Sequence, residues 1–160
     1  MQAIISFIQT HFTREVATVL LSMIPIIELR GAIPLGMGLG IPYGKSLLLS
    51  IVGASVPPFF IIFLIEYVFK ILRRFDFFDR LITKINEKTL SKKDQIDKYG
   101  YLGLLLFVGI PLPGTGAWTG TLLAVLLNLN KFKSLVAIIF GNILAGLIVA
   151  TLSGGIMALL

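Results

Sequence analysis

The sequence contains no cysteine and only one histidine, His11, among its 160 residues. Without thiols the chain can form neither a disulfide nor a thiolate metal site, and one histidine cannot supply a histidine cluster. We therefore expect no metal and no cofactor. The absence of cysteine also excludes palmitoylation and prenylation, which both modify that residue.

Charged residues are scarce as well, at 14% of the chain, whereas 56% of the residues are hydrophobic. Soluble domains are on average about 25% charged and about 45–50% apolar. A soluble fold of this length could not bury so much apolar surface. The composition therefore predicts an all-α integral membrane protein, with residues 1–160 forming a single membrane domain.

The apolar residues fall into four segments, of which two are continuous and two are interrupted. Residues 45–70 and 132–160 are long enough to span a bilayer as helices. Residues 16–42 and 100–130 are broken by proline and glycine, which favours re-entrant helical hairpins, with the first turn near residues 28–34. The alternative is four ordinary spanning helices with kinks at the helix breakers.

A charged linker, residues 73–98, separates the two pairs of segments. Nine basic and five acidic residues lie between positions 70 and 98, an excess of four positive charges. The basic excess predicts a cytoplasmic linker and indicates membrane orientation rather than nucleic-acid binding. Apolar residues at helical spacing favour an amphipathic helix in the headgroup region, and a solvated linker helix is the alternative.

The two halves of the chain carry matching residues. Lys45-Ser-Leu is followed after five residues by Gly53, and Lys133-Ser-Leu is followed after five residues by Gly141. A hairpin crosses the membrane zero times and a span crosses once, so the two halves must have opposite orientations, as in many secondary transporters. The predicted inverted repeats comprise residues of about 14–72 and 99–160.

Glu28 and Arg30 are ionisable residues inside an apolar segment, where such groups are costly and commonly functional. In the functional interpretation Arg30 binds an anionic headgroup and Glu28 exchanges a proton. In the structural interpretation the two side chains pair and brace the turn. No Ser–His–Asp set or carboxylate cluster accompanies them, so we do not expect an enzyme.

The second broken segment contains residues 111–120, PLPGTGAWTG. Its glycines allow close backbone approach, and its N–H groups and hydroxyls could bind phosphate. It lacks the Gly-Lys-Ser/Thr ending of a P-loop. The structural alternative for residues 111–120 is a tight turn. For Asn142, a polar residue in the last apolar segment, we expect a helix–helix hydrogen bond. The predicted substrate-binding residues are Glu28, Arg30, Gly31, Pro34, Pro111, Pro113, Gly114, Thr115, Gly116, Trp118 and Thr119.

Residues 28–36, ELRGAIPLG, together with residues 111–120 resemble the small multidrug export protein family. The chain is also similar, more distantly, to the DedA/VTT superfamily of membrane proteins. This resemblance implies paired re-entrant hairpins, lipid translocation that includes polyprenyl-phosphate carriers, and a location in the inner (cytoplasmic) membrane. The chain departs from the superfamily pattern because its arginine, Arg30, lies in the first broken segment, and the second contains none.

Three functions follow from these observations. The first is a transporter or lipid flippase for an amphipathic, anionic substrate resembling polyprenyl phosphate or a phospholipid, coupled to protons through Glu28. The second is an exporter of lipophilic cations. The third is a non-transporting structural membrane protein with a buried Glu28–Arg30 brace. Membrane lipids are the expected partners, and the small residues of the last segment favour a homodimer.

Overall fold

The computed structural model describes residues 2–72, 74, 80, 83 and 93–157, and the regular secondary structure of this part of the chain is helical. The first half contains α1 (Gln2–His11), α2 (Arg14–Met23), α3 (Glu28–Gly38) and α4 (Tyr43–Leu72). No strand occurs in the described residues, and the prediction of an all-α chain is confirmed for them.

The second half repeats the order of two shorter helices followed by a long one. It contains α5 (Lys93–Gly109), α6 (Ala117–Leu126) and α7 (Lys131–Met157). The last residues of the predicted linker therefore already belong to α5. The predicted amphipathic helix falls mostly within residues 73–92, nearly all of which lie outside the described residues.

The long helices α4 and α7 pack against each other in antiparallel directions. Tyr43, at the start of α4, lies beside Gly154, where an added Cβ would be 3.4 Å from the tyrosine ring. At the opposite end, the Lys131 ammonium lies 5.5 Å from the centroid of the Phe63 ring. Midway, the Asn142 amide donates a hydrogen bond to the Ser55 hydroxyl at 3.1 Å, which confirms the expected interhelical role of Asn142.

Both helices contain a stretch that is long and apolar enough to cross a membrane. These stretches are Tyr43–Ile65, with 23 residues, and Lys131–Gly154, with 24 residues. At 1.5 Å per residue each is about 35 Å long, slightly more than the roughly 30 Å hydrocarbon core of a bilayer. The predicted spans therefore correspond to α4 and α7.

Each broken segment folds back on itself, so that its end lies beside its start. In the first, the Arg14 guanidinium donates a hydrogen bond of 2.9 Å to the carbonyl of Leu39. In the second, the backbone N–H of Asn130 donates to the Tyr101 hydroxyl at 3.2 Å. The two short helices of each segment are therefore neighbours that run in opposite directions.

The turn of the first segment lies earlier than the sequence predicts. Helix α2 ends at Met23 and α3 begins at Glu28, so the predicted turn at residues 28–34 is wrong. Pro25, which lacks a backbone N–H, follows the C-cap residue of α2, whereas Pro34 is accommodated inside α3. Glu28, the first residue of α3, has a φ of +48°, which is uncommon for a residue other than glycine.

The matched glycines of the two halves occupy equivalent places. An added Cβ at Gly53 would meet the Ser22 hydroxyl and lie 2.5 Å from the Val19 carbonyl oxygen, both in α2. At Gly141 it would lie 2.9 Å from the carbonyl oxygen of Leu105 in α5. Each glycine thus lets the long helix of its half approach the backbone of the first short helix, just before the helix break.

An ion pair joins the start of α2 to the start of α4. Lys45 donates a 2.8 Å hydrogen bond to Glu15, and both side chains are well exposed. This hydrogen bond is the main reason why the pKa of Glu15 lies below its ordinary value. The charge of Lys45 is therefore paired with an acid.

Candidate functional site

A cavity of about 1080 Å³ lies where the two broken segments meet. Its walls come from the turn before α3, from one face of α3, and from the loop and first turn of α6. Nine predicted substrate-binding residues line it, namely Glu28, Arg30, Gly31, Pro34, Pro113, Gly114, Thr115, Trp118 and Thr119. Pro111 and Gly116, which were also predicted, are not among its lining residues.

Glu28 caps a helix of the opposite segment. Its carboxylate accepts hydrogen bonds from the backbone N–H groups of Ala117 and Trp118, in the first turn of α6. The first N–H groups of a helix have no partner within the helix, and the helix dipole favours a negative charge there. Glu28 is itself buried, so it provides the acceptor that water would otherwise supply.

Gly116 is required by this arrangement. It is the N-cap residue of α6, with φ of 146°, a conformation that L side chains rarely adopt. A Cβ added there would fall on the Glu28 carboxylate, at 2.6 Å from Oε1 and 2.7 Å from Cδ. Gly116 therefore lies beneath Glu28 rather than in the cavity wall.

Arg30 binds the other side of the same helix break. Its Nη1 donates to the carbonyls of Leu112 at 2.8 Å and Thr115 at 2.7 Å. Its Nη2 donates to the Thr115 hydroxyl at 2.9 Å and lies near the Val108 carbonyl at 3.4 Å. The guanidinium thus binds carbonyls of the loop between α5 and α6. It also lies close to the last turn of α5, where the helix dipole favours a positive charge.

Trp118 makes the reciprocal contact from the second segment to the first. Its indole Nε1 donates a hydrogen bond of 3.2 Å to the carbonyl of Met23, the last residue of α2. Three side chains therefore satisfy backbone groups at the ends of helices in the opposite segment. We refer to Glu28, Arg30 and Trp118 together as the clasp.

The structural interpretation of the sequence proposed that Glu28 and Arg30 pair with each other, whereas in the structure both side chains bind backbone groups of the opposite segment. Glu28 and Arg30 form no ion pair with each other; the ion pair found in the described residues joins Lys45 and Glu15. The Nε of Arg30 is buried and has no hydrogen-bond partner among the described residues. Both charges are thus largely engaged by backbone groups in this conformation.

Much of the cavity wall is apolar, and seven of its lining residues were not predicted from the sequence. The lining residues of α3 and its C-cap form two rows at the four-residue spacing of one helix face, namely Arg30, Pro34 and Gly38, and Gly31, Leu35 and Leu39. Pro25, Ile26 and Ile27 come from the turn before α3, and Ile5 comes from α1. The four-residue spacing could have been found if residues 28–38 had been interpreted as a helix rather than a turn. The missed residues are Ile5, Pro25, Ile26, Ile27, Leu35, Gly38 and Leu39.

In the described part of the chain, no group of three or more His, Asp or Glu side chains lies close enough to coordinate a metal ion. The described lining of the cavity contains one carboxylate, that of Glu28, and no histidine. The cavity can contact a ligand through apolar surface, through the hydroxyls of Thr115 and Thr119, and through the charges of Glu28 and Arg30. Such a site suits binding of an amphipathic molecule.

Comparison with known proteins is consistent with this geometry. A model of the family described as "Putative small multi-drug export protein" matches residues 28–148. The chain belongs to this family. The matched range includes the clasp, the loop before α6, all of α4, the linker, and α7 as far as residue 148. The family and the two long apolar helices identify a membrane protein with a transport role. No curated protein and no solved structure matches the sequence.

Proposed function

We propose that this protein transports small amphipathic molecules across the membrane and binds them in the cavity between its two broken segments. The observation that carries the proposal is the position of the cavity, at the meeting point of two helix breaks. Discontinuous helices that meet near the midplane form the substrate sites of many secondary transporters. A volume of about 1080 Å³ is at the upper end of the range for small-molecule sites.

We propose further that the two halves are inverted repeats whose broken segments are re-entrant hairpins. Helices α2, α3 and α6 contain 10, 11 and 10 residues. Each is therefore about 15 Å long, half the thickness of the hydrocarbon core. The fold-back of each segment and the antiparallel direction of α4 and α7 support hairpins that enter from opposite sides, with the linker in the cytoplasm.

The hydrogen bonds of the clasp affect which charge a bound substrate can carry. An anionic headgroup could bind Arg30 only by displacing the carbonyls of Leu112 and Thr115. The geometry therefore favours small molecules held mainly by apolar contact, which is compatible with the drugs that the family description names. Translocation of an anionic lipid-like substrate is the second candidate, because Arg30 is the cation in the cavity wall.

We propose that Glu28 couples this transport to protons. A carboxylate is a strong acceptor for the N–H groups of α6, and protonation removes its charge and one acceptor site. Loss of the cap would weaken the contact between the two tips, with Arg30 as the charged group facing Glu28. A non-transporting structural protein would use the same clasp only as a brace.

The transport proposal can be tested with a variant that fills the cavity. Gly38 lines the cavity, and an added Cβ there would have no atom within 4 Å. Gly44, at the start of α4, is equally open but lies outside the cavity, so Gly44→Trp is the matched control. The measurement is uptake of a fluorescent lipophilic cation and of labelled polyprenyl phosphate by vesicles containing the full chain.

We expect transport of at least one probe above the rate in empty vesicles, a loss of tenfold or more in Gly38→Trp, and little change in Gly44→Trp. Glu28→Gln should abolish the stimulation by a proton gradient. If neither probe moves faster than in empty vesicles and Glu28→Gln has no effect, the transport proposal is wrong and the brace interpretation is favoured.

A further inference from the structure

A second apolar groove lies on the outer surface of the molecule, between α5 and α7. Its volume is about 440 Å³, and it is separate from the cavity between the broken segments. Phe132, Val136 and Phe140 recur every four residues and form a stripe about 12 Å long on one face of α7. Leu102 and Leu105 of α5 form the opposite wall.

A lysine side chain lies at one end of this groove. Lys133 is among its lining residues, and its ammonium lies 5.7 Å from the centroid of the Tyr101 ring. Among the side chains that the structure describes, no carboxylate pairs with Lys133. The groove thus combines an apolar channel with a positive charge and an aromatic ring at the same end of α7.

We propose that this groove is a binding site for an anionic phospholipid, with an acyl chain along the aromatic stripe of α7 and the phosphate at Lys133. The charge at one end and the apolar walls beyond it complement the two parts of such a lipid. Basic pockets between membrane helices recognise lipid headgroups in this way. In the proposed topology the phosphate lies in the cytoplasmic leaflet.

The structure contains a natural comparison for the groove. A groove of similar volume, about 420 Å³, lies between α4 and α7 and is lined by residues that include Val52, Phe59 and Ile139. No lysine or arginine lines it. Acyl chains can occupy both grooves, but only the groove at Lys133 should discriminate between headgroups.

The test compares two basic residues at matching positions of the two halves. Lys45 corresponds to Lys133 in the sequence repeat, but its charge is already paired with Glu15. The full chain, purified in detergent, is titrated with phosphatidylglycerol or phosphatidylcholine, and lipid retention is measured by native mass spectrometry. Because no transport is measured, the result is independent of whether the central cavity moves a substrate.

We expect phosphatidylglycerol to bind about fivefold more tightly than phosphatidylcholine, the effect of roughly one basic residue near a membrane surface. Lys133→Gln should remove this preference, and Lys45→Gln should keep it. Val136→Trp, which fills the groove, should reduce retention of both lipids while the protein remains folded. Equal retention of the two lipids by the unmodified protein, or the same loss in both lysine variants, would overturn the proposal.

Discussion

At the residue scale, the structure explains why two charged residues occur in an apolar segment. Ionisable groups in membrane proteins commonly pair with one another or with backbone carbonyls. Here Glu28 and Arg30 bind the backbone of the opposite helix break, at Ala117, Trp118, Leu112 and Thr115. Unpaired backbone groups cost several kcal/mol each in hydrocarbon, so satisfying them stabilises an interruption that lipid would otherwise exclude.

The clasp predicts a specific effect of replacing Arg30. Arg30→Lys keeps the positive charge but loses the planar fork that reaches several carbonyls at once. We expect it to lower the free energy of unfolding by about 1–3 kcal/mol, because several partly buried acceptors would lose their donor. Arg14→Lys is the matched control, because Arg14 makes a single exposed hydrogen bond, to Leu39.

Thermal unfolding of both variants in the same detergent provides the measurement. The midpoint of Arg30→Lys should fall clearly below that of Arg14→Lys, which should remain close to the unmodified protein. Equal midpoints for the two variants would show that the guanidinium contacts of Arg30 contribute nothing beyond charge.

At the scale of elements, each half contains the two helices of a broken segment and one long helix, and a glycine of the long helix lets it pack closely against the first of the two. Gly53 brings α4 against α2, and Gly141 brings α7 against α5. Close contacts of this kind are typical of membrane helices, where small residues let backbones approach. In both halves, therefore, a glycine at the matched position of the sequence allows the long helix to pack closely against the preceding segment.

This packing predicts parallel effects of two substitutions. Gly53→Ala and Gly141→Ala each place a Cβ within 3 Å of a backbone carbonyl oxygen, so the helices must separate. We expect each to lower the free energy of unfolding by about 1–3 kcal/mol. Gly103→Ala is the control, because a Cβ there meets no atom within 4 Å and alanine favours the helix by about 0.5–1 kcal/mol.

Denaturant unfolding of the three variants checks this prediction. Gly53→Ala and Gly141→Ala should be destabilised to a similar degree, and Gly103→Ala should be unchanged or slightly more stable. Tolerance of alanine at either matched position would mean that the close approach of that long helix is not needed for stability.

The sequence predicts the elements better than their junctions. Hydropathy was sufficient to predict α4 and α7, because apolar length determines which helices can cross a bilayer. The position of the first turn was wrong, since glycine and proline suggested a break at residues 28–34, whereas α3 includes Pro34. In an apolar environment the backbone hydrogen bonds of a helix outweigh the weak preferences of single residues.

Most of the polar residues of the candidate site were predicted from the sequence, but the groups that they bind were not. Glu28, Arg30 and Trp118 were selected as polar or aromatic residues in broken segments, and they line one cavity. Their partners are backbone groups more than 75 residues away, and no sequence pattern identifies which helix end a side chain will cap. The apolar lining was missed because it depends on the helical phase of α3.

At the scale of the whole molecule, the contacts describe two folded-back segments whose tips touch and whose bases lie at opposite ends of the α4–α7 pair. The base of the first segment lies near Lys45, and that of the second near Lys131. In the topology that we propose, the two segments would enter the membrane as hairpins from opposite faces, with the cavity between their tips. The proposed transport function depends on this orientation.

Cysteine accessibility tests that orientation most directly, because the chain contains no native cysteine. Single cysteines would be introduced as Phe12→Cys and Pro42→Cys at the base of the first segment, and as Tyr99→Cys and Phe132→Cys at the base of the second. Each variant would be labelled in sealed vesicles with a thiol reagent that cannot cross the membrane.

We predict that positions 12 and 42 react from the outer side and that positions 99 and 132 react from the cytoplasmic side. Labelling of 12 and 42 from opposite sides, or of 99 and 132 from opposite sides, would mean that a broken segment crosses the membrane. That result would contradict the facing hairpins and, with them, the proposed site between their tips.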